Sequence, residues 1–555
     1  MHQLRLSGDS HGLALIFFTL FARDDYGATV CALLVLGAAV FIADRVPARR
    51  ILGVAGEHPV SIAIISTVVL CAGALFVYHD HPLSMDEYAA YFQSRVFAAG
   101  QLTGRWPLAQ MDWLIPPGFQ DFFLNVSHAD GRVISAYWPG HSLLLTPFTF
   151  AGIPWACNPV LTGLTLLIIH RLALHLFEDI EAAGLALLLT IASPVIFGLG
   201  ISYYSMPAHL LANCLYALLL VRPTARRALL AGVVGSVALC LHNPVPHLLF
   251  AAPWLLWMAT RRGGKLAFGA LCLGYLPLCL LLGIGWFEFS NSLVHPGPPT
   301  VGVQLGFMER LDQMLMNFEP PTATVYLARA IGVAKVWVWA VPGILILAAW
   351  GAVRRWDNVF CRLFAASALT TLIGYLFFVA DQGHGWGFRY FHSAWLAVPL
   401  LATAALYRPQ RSTATGSASP GLVFEDSETR AFVVTCAVLT LLFGVGFRAV
   451  QMQAFMAADL AQLPHYTGRE KRVVFLDNTH TFYGADLVQN DPWLRGNEIR
   501  MFSHGAGADA LLMQQQYPLL HEVYADRYGS VWSAAPSQLG IRYNLPKVLP
   551  NEDRN

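Results

Sequence analysis

The chain has 555 residues, of which 56% are hydrophobic and only 12% are charged, and its mean hydropathy is +0.51. Soluble proteins carry a charge on about a quarter of their residues, so this composition excludes a water-soluble enzyme of several ordinary domains and indicates an integral membrane protein. The net charge of +1, from 35 basic and 34 acidic residues, excludes nucleic acid as a partner, because nucleic-acid binding needs a basic field.

Twelve apolar stretches approach the length that crosses about 30 Å of hydrocarbon as a helix. They are residues 28–43, 59–79, 157–177, 182–200, 203–221, 228–241, 245–260, 266–286, 331–350, 359–380, 390–407 and 430–449. The apolar segment 142–156 is short, contains proline and abuts the next stretch, so we interpret it as interfacial or re-entrant. No small-residue cleavage site follows Leu13–Ala22, which favours an interfacial segment there over a secretory signal.

Basic residues alternate along the chain with less basic connections, which predicts the orientation by the positive-inside rule. Six connections are predicted to be cytoplasmic because they contain Arg45, Arg49, Arg50, Arg171, Arg222, Arg226, Arg227, Arg261, Arg262, Lys265, Arg354, Arg355, Arg408 and Arg411. The segments predicted to lie on the outer or periplasmic side are residues 80–141, 202–209, 242–247, 287–330, 381–392 and everything after 449. We therefore expect a multi-pass protein of the cell's inner (plasma) membrane.

The expected fold class is an all-α polytopic membrane protein with about twelve transmembrane helices and a small C-terminal extracytoplasmic α/β domain. The expected parts are an N-terminal segment with the first crossing (1–58), a transmembrane core with the outer loop 80–141 (59–409), a Ser- and Gly-rich cytoplasmic linker (410–429), a last transmembrane helix (430–449) and the outer domain (450–555). A strand-like run at 472–476 and a helix-like run at 508–516 support the α/β assignment of that domain.

The first outer loop begins with a predicted helix that carries two adjacent carboxylates, Asp86 and Glu87. Apolar side chains follow at broadly helical spacing and Gly100 is a suitable stop, so we expect an interfacial helix from Ser84 onward. Ser84 and Glu87 match a capping box, in which Glu87 accepts a backbone hydrogen bond. Asp86 has two interpretations, an acid favoured by the helix dipole or a general base toward an acceptor hydroxyl.

Two influences on the pKa of Asp86 oppose each other. The helix dipole lowers the pKa and makes the carboxylate a poor base, whereas burial raises it. The sequence does not decide between them. A carboxylate that accepts the proton of the acceptor hydroxyl late in the transition state could act as the base with either a lowered or a raised pKa.

Arginines in the outer loops could stabilise a departing phosphate, on which charge develops. These are Arg95, Arg105, Arg132 and Arg389. Arg389 lies in the glycine- and aromatic-rich stretch 381–392, where a crossing re-enters the membrane. It is either a phosphate contact or a snorkelling arginine within an aromatic belt.

In the functional interpretation Asp86 faces an outer cavity that Arg389 shares. Histidines near the outer side could line the same cavity, although each is also explained as an interfacial or structural side chain. They are His141, His209, His242 and His247. The spacing of His242 and His247 across two prolines is not that of a helical metal pair. The nine cysteines lie in or beside apolar stretches and indicate neither disulfides nor zinc. We expect no cofactor, and although a divalent metal would be compatible with the chemistry, no ligand cluster indicates one.

Several of these motifs occur together in one order. Asp86-Glu87-Tyr88-Ala89 opens a helix after an early crossing, and Gly131-Arg132 and Tyr137-Trp138-Pro139-Gly140-His141 follow in the same loop. This loop resembles the catalytic loop of the membrane-embedded glycosyltransferases of the C superfamily (GT-C), most of all the protein O-mannosyltransferase and aminoarabinose-transferase branch. Ser202–Ser205 and Gly387–Tyr390 resemble further landmarks of the family. The resemblance covers roughly 59–409 and leaves out the tail beyond 450.

The resemblance implies an inverting transferase that takes a sugar from a polyprenyl-phosphate donor on the outer face. Asp86 would be the base, and Glu87 would orient the loop or cap its helix. The substrate-binding residues would be Tyr88, Arg132, Tyr137, His141, Arg389 and Tyr390. Many relatives carry a lysine before the aromatic-Pro stretch, where this chain has Ala136. The phosphate contact would then pass to Arg132 or Arg389, or the donor would differ.

The expected partners are the donor, the lipid bilayer and a glycan, lipid or protein acceptor. The first alternative is a polytopic transporter or flippase of lipid-linked sugars, for which paired broken helices and mid-membrane charges would be expected; Lys335 is the clearest charge inside a crossing, and it lies toward the outer end. The second is a scaffold whose outer tail binds a cell-envelope partner. The tail residues polar enough to bind sugar are Asp477, Asn478, His480, Asp486 and Asp491.

Overall fold

The structure, a computed structural model, describes residues 21–294, 322–378, 382, 385–407, 427–464, 470–481 and 484–534. This part of the chain is mostly helical, with a small sheet in the first outer loop and another near the C-terminus. The predicted segment 13–22 and the predicted linker 410–429 lie almost entirely outside the described residues.

The α-helices are numbered in chain order. They are α1 Tyr26–Ile42, α2 Ala48–Glu57, α3 Pro59–Phe76, α4 Met85–Ala98, α5 Met111–Leu114, α6 Gly140–Phe150, α7 Cys157–Phe177, α8 Ile180–Ile191, α9 Pro194–Gly200, α10 Met206–Leu220, α11 Ala225–Leu239, α12 Val245–Thr260, α13 Lys265–Leu278, α14 Trp286–Val294, α15 Ala323–Val338, α16 Ile344–Arg354, α17 Val359–Gly374, α18 Ala397–Leu406, α19 Ser427–Leu439, α20 Val445–Leu460 and α21 Ala506–Gln516.

Shorter helical turns join or extend these elements. The π-helical turns are Phe21–Asp25, Cys279–Gly285 and Thr440–Gly444, and the 3-10 turns are Ala43–Arg45, Leu108–Gln110, Pro117–Phe119, Pro154–Ala156, Arg389–Ala394 and Gly484–Leu487. The turn Thr440–Gly444 makes α19 and α20 one helical segment of 34 residues, Ser427–Leu460. The last predicted crossing therefore continues as helix past its expected end at residue 449.

Five helical segments of the described residues are long and apolar enough to cross a membrane. They are Arg23–Arg45, Pro59–Phe76, Pro154–Phe177, Lys265–Leu293 and Ser427–Leu460. Shorter apolar helices (α10, α12, α16, α17 and α18) occupy other predicted crossings. The helical, polytopic architecture is thus confirmed, whereas the number twelve and the orientation stay predictions. The 11 residues of α6 fall short of the roughly 20 that a crossing needs.

Two predicted crossings are broken where the sequence has proline. The stretch 182–200 bends by 61° between α8 and α9, because Pro194 begins a new helix. The stretch 331–350 is not one helix: α15 ends at Val338 and α16 begins at Ile344. Pro342 precedes Gly343, whose φ of +81° ends the helical geometry.

Two small sheets lie outside the helical bundle. In the first outer loop, β3 (Arg132–Ser135) pairs antiparallel with β1 (Gly104–Arg105) and with β2 (Leu124–Val126). In the C-terminal unit, β4 (Arg472–Leu476) and the following strands β5 (Glu498–Phe502), β6 (His521–Asp526) and β7 (Gly529–Ser533) have the order β5-β4-β7-β6. With α21, this sheet confirms the predicted α/β character of the C-terminal unit.

The apolar interior has two main parts. The larger one lies inside the bundle and joins residues from Ala39 to Met456. The second joins the first outer loop to the C-terminal unit, since Met85, Phe92 and Trp106 share one cluster with Phe475 and Met501. The C-terminal unit is therefore packed onto the loop that carries Asp86.

Candidate functional site

The helix α4 begins where the sequence predicts it, at a capping box. Ser84 is the N-cap in extended conformation, and its side chain and that of Glu87 make the two reciprocal backbone contacts of the box. Asp86 is the second residue of the helix. Its position is therefore set by a local sequence signal at the end of the crossing α3.

Glu87 is fully buried and is surrounded by donors. Its carboxylate accepts hydrogen bonds from the Tyr78 hydroxyl (3.0 Å) and from the backbone N–H groups of Leu83 (2.8 Å), Ser84 (3.3 Å) and Tyr203 (2.8 Å). Burial raises the pKa of Glu87 to about 8, although these hydrogen bonds act in the opposite direction. Glu87 thus joins three separate stretches of chain and has no exposed surface for a substrate.

Asp86 lies between Tyr137 and Arg389. Its Oδ1 accepts a hydrogen bond from the Tyr137 hydroxyl, and its Oδ2 accepts one from Arg389 Nη1 at 2.9 Å. The Asp86 side chain is 24% exposed and the Arg389 side chain only 5%. The carboxylate and the guanidinium, which the sequence predicts to share an outer cavity, are therefore in direct contact, and the carboxylate is the more accessible of the two.

Arg389 is held by the loop in which it lies and by one aromatic ring. Its backbone N–H donates to Gln382 Oε1 at 2.9 Å, while Gln382 Nε2 donates to the Gly387 carbonyl at 2.9 Å. Its Nη2 donates to the Gln382 carbonyl, and its guanidinium carbon lies 4.3 Å from the centre of the Tyr204 ring. Nε is buried without a hydrogen-bond partner among the described residues. The Nε–H of this guanidinium therefore has no acceptor within the part of the chain that the structure describes.

Tyr137 is brought to Asp86 by the turn after β3. Backbone hydrogen bonds attach this turn to residues 240–242, with Trp138 N–H donating to His242 O at 3.1 Å and Gly140 N–H to Cys240 O at 2.8 Å. A Cβ atom on Gly140 would lie 2.6 Å from the Cys240 oxygen, so only glycine permits this approach. The Tyr137 and His242 rings lie 3.9 Å apart between centroids.

The electrostatics of the site favour an ionised Asp86 beside uncharged histidines. Burial raises the pKa of Asp86, but Arg389 and the hydrogen bond from Tyr137 outweigh it, so the pKa lies below its ordinary value. Burial lowers the pKa of His141 and of His242 to about 4. The sequence alone did not decide whether the pKa of Asp86 is raised or lowered. The ion pair with Arg389 lowers it.

The predicted histidines do not form a metal site. Among the described residues, no group of three or more His, Cys, Asp or Glu side chains is placed to hold a metal ion. His141 is buried, with Nε2 3.0 Å from the Tyr203 carbonyl oxygen, and His247 lies between Asn213 (2.6 Å) and the Tyr275 hydroxyl (2.8 Å). His242 is the histidine beside Tyr137 and Asp86.

Three residues that the resemblance assigned to substrate make contacts with other parts of the protein. The Tyr88 hydroxyl is bonded to the backbone of Asn490 in the C-terminal unit, and Tyr88 is buried there. Arg132 pairs with Asp130 at 2.7 Å, and its side chain is 39% exposed. Tyr390 stacks on Tyr375, with ring centroids 4.4 Å apart.

Other side chains at the site carried little or no sequence signal. Tyr204 lies in the stretch Ser202–Ser205; its ring faces Arg389, and its hydroxyl accepts from Ser84 Oγ at 3.0 Å. Gln382 orients Arg389, and Tyr78 donates to Glu87 and accepts from Trp386 at 2.9 Å. Their contacts join residues far apart in the chain, which no local pattern indicates.

No protein-family model and no curated protein matches the chain. Solved structures do resemble it. ArnT from Cupriavidus metallidurans bound to undecaprenyl phosphate has a TM-score of 0.53 and 13% identity, covering 87% of this chain and 99% of that one. The apo state of ArnT has a TM-score of 0.50 and 12% identity, covering 86% and 98%.

ArnT is an aminoarabinose transferase of the GT-C type, so the predicted resemblance is confirmed at the level of the fold. The structural likeness extends further than the predicted range 59–409. Residues 1–449 are 449 of the 555 residues, a smaller share than the 87% that is covered. The match therefore includes part of the C-terminal region, which the sequence resemblance left out.

Proposed function

We propose that this protein is an inverting glycosyltransferase that moves a sugar from a polyprenyl-phosphate donor to an acceptor hydroxyl at the outer face of the membrane. The observation that carries this proposal is the direct ion pair of Asp86 and Arg389 beside Tyr137. The ArnT-like fold supports it, since one ArnT structure of that fold holds undecaprenyl phosphate. Donor sugar, acceptor and linkage are left open.

Arg389 is the group suited to the donor phosphate. A guanidinium presents several N–H groups in one plane and matches phosphate oxygens better than an ammonium does. Among the described residues the Nε–H of Arg389 has no acceptor, and Nη1 is bonded to Asp86. A phosphate oxygen that takes the place of Asp86 Oδ2 would keep the buried cation paired throughout.

This exchange of partners would also activate the base. While Arg389 is bonded to Asp86, the pKa of Asp86 is low and the carboxylate is a weak base. When phosphate takes the guanidinium, the contribution of burial remains and the pKa of Asp86 rises. The acceptor hydroxyl then meets a stronger base only after the donor is bound. Proton transfer from the acceptor to Asp86 before donor binding is therefore disfavoured.

The reaction is a single displacement at the anomeric carbon. The acceptor oxygen forms the new bond to that carbon, and its proton passes to Asp86. The bond from the anomeric carbon to the phosphate oxygen breaks, its electron pair stays on the phosphate, and Arg389 stabilises the charge that develops there. Configuration at the anomeric carbon is inverted because the acceptor attacks opposite the leaving group.

The test is a transfer assay with purified protein in lipid nanodiscs, a panel of polyprenyl-phosphate sugars and extracted envelope lipids and glycans as acceptors. Formation of a glycosidic bond that requires Asp86 would support the proposal. Movement of the lipid-linked sugar between leaflets without a new glycosidic bond would instead support a flippase. Absence of both with every donor of the panel would contradict the proposed function.

A further inference from the structure

The C-terminal unit is hydrogen-bonded to the helix that carries Asp86 through one short segment, residues 486–491. This segment begins within the 3-10 turn Gly484–Leu487 and precedes β5. Asp486 and Asp491 are two of the polar residues that could be explained as solvated or sugar-binding. In the structure both are bonded to the first outer loop instead.

Asp486 provides a hydrogen bond that α4 cannot provide for itself. Met85 is the first residue of the helix, where a backbone N–H has no helical acceptor. Asp486 Oδ1 accepts this N–H at 3.0 Å, and both residues are buried, with Met85 1% and Asp486 0% exposed. Without Asp486 the N–H of Met85 would be a buried donor with no other acceptor among the described residues, which is unfavourable in a protein interior.

The rest of the segment follows the same helix. The Tyr88 hydroxyl donates to the Asn490 carbonyl at 2.6 Å and accepts from the Asn490 N–H at 2.8 Å. Asp491 Oδ2 pairs with Arg95 at 2.6 Å, toward the other end of α4. The helix is therefore bonded to the C-terminal unit at three places: at Met85 in its first turn, at Tyr88 just after that turn, and at Arg95 near its last turn.

Apolar packing supports these polar contacts. Met85, Tyr88 and Phe92 of α4 share one buried cluster with Val473 and Phe475 of β4. A shared core makes the relative placement of two elements well defined, because buried side chains pack at crystal-like density. The C-terminal unit is thus part of the structure that supports Asp86.

We propose that Asp486 is a positioning residue for Asp86, acting through the hydrogen bond to Met85 N–H. The proposal rests on the proposed function. Asp86 must meet Tyr137 and Arg389, which come from two other parts of the chain, so the first turn of α4 has to be placed accurately. Ser84 and Glu87 define where the helix begins in the sequence, and Asp486 defines where that first turn lies relative to the C-terminal unit.

The experiment compares three variants of the full-length protein in nanodiscs. Asp486→Ala removes the acceptor, whereas Asp486→Asn keeps an oxygen that can accept the Met85 N–H. Asp526→Ala is the matched control, because the Asp526 carboxylate also accepts a backbone N–H, from Tyr528 at 2.8 Å, but is exposed and lies within the β6–β7 hairpin. The readouts are kcat, KM for the donor, and hydrogen exchange of the first-turn amides of α4.

We expect Asp486→Ala to lower kcat by about 10- to 100-fold, the effect of a small misplacement of a reacting group, with little change in KM for the donor. First-turn amides of α4 should exchange faster. Asp486→Asn should recover most of both effects, and Asp526→Ala should match the wild type. If Asp486→Ala does not fold, Tyr88→Phe, which removes both bonds to Asn490, should show a smaller loss of kcat in the same direction.

Wild-type kcat in Asp486→Ala, or in Tyr88→Phe where the alanine variant does not fold, would overturn the inference. So would equal losses in Asp486→Ala and Asp486→Asn, since the hydrogen bond would then not be the cause. Failure of the wild type to transfer sugar would instead contradict the proposed function. Hydrogen exchange would still decide whether Asp486 holds the first turn, because that readout needs no activity.

Discussion

Asp86 and Arg389 are 303 residues apart in the sequence, yet Arg389 Nη1 lies 2.9 Å from Asp86 Oδ2. The acid belongs to the first turn of α4, and the cation to the turn that precedes α18. The pair therefore joins the beginning of the transmembrane core to its end. Arg389 lowers the pKa of Asp86, and Asp86 occupies one donor of Arg389, so a substitution of either residue tests the pair.

Asp86→Asn should abolish transfer while leaving donor binding intact. The amide cannot accept the proton from the acceptor, and loss of a general base lowers the rate by about 100- to 10,000-fold. Arg389 loses its anionic partner and becomes more available to phosphate, so the affinity for a polyprenyl phosphate should be equal or higher. Turnover and lipid binding, measured on the same preparation, check both statements. Near-normal turnover would contradict the assignment of Asp86 as the base.

Arg389→Gln should shift the acid limb of the pH–rate profile upward. Arg389 lowers the pKa of Asp86, and the base works only when ionised, so activity falls as the pH drops through that pKa. Without the guanidinium the pKa rises, and kcat/KM should decline at a higher pH than in the wild type. Arg389→Lys is the control: it keeps the charge, and therefore the low acid limb, but weakens donor binding because the planar fork is lost. An unchanged acid limb in Arg389→Gln would exclude this coupling.

The elements of the site that depend on local patterns could be predicted from the sequence. Ser84 and Glu87, three residues apart, predict the start of α4, and the structure has its capping box there. The strand Arg472–Leu476 and the helix Ala506–Gln516 were also predictable, because short apolar or helical runs bounded by turn residues are local signals.

Contacts between distant segments could not be predicted in this way. The spacing of Asp86 and Arg389 in the sequence contains no information about the fold that brings them together. The placement of Tyr88 against Asn490 was missed for the same reason, since an aromatic beside two acids has the same sequence pattern whether it faces substrate or a neighbouring unit. The breaks at Pro194 and Pro342 had a local signal, but long apolar runs outweighed it in the assignment of single crossings.

Glu87 should make the stability of the protein depend on pH. Its folded-state pKa of about 8 lies above the ordinary value of 4.5. Its contribution to the stability of the folded state is therefore fully present below about pH 4.5 and is lost as the pH rises through 8. One pKa unit corresponds to about 1.4 kcal/mol, which puts the change at the order of a few kcal/mol. Residue 87 cannot titrate in Glu87→Gln. The Tm of the wild type relative to that of this variant should therefore fall between pH 5 and pH 8.

Comparison with the variant removes the effects of other groups. The buried His141 and His242 have lowered pKa values, so their contribution to stability increases with pH and opposes that of Glu87. They are the same in both proteins and cancel in the difference. Parallel Tm curves for the wild type and Glu87→Gln would mean that Glu87 has an ordinary pKa in the folded state.

Gly387→Ala should weaken donor binding through Arg389. Gly387 has a φ of +65°, and an added Cβ would lie 2.9 Å from Val195 Cγ2. The left-handed conformation alone costs about 1–2 kcal/mol for a residue with a side chain, so the loop should shift. The shift would reach Arg389, because Gln382 donates to the Gly387 carbonyl and accepts from the Arg389 N–H. We expect a higher KM for the donor, a smaller change in kcat, and a lower Tm.

Gly446→Ala is the matched control, since Gly446 lies within α20 with no atom within 4 Å of the added Cβ. This variant should keep the wild-type KM. If Gly387→Ala lowered the Tm but left KM unchanged, the loop would be required for folding and would not set the position of Arg389.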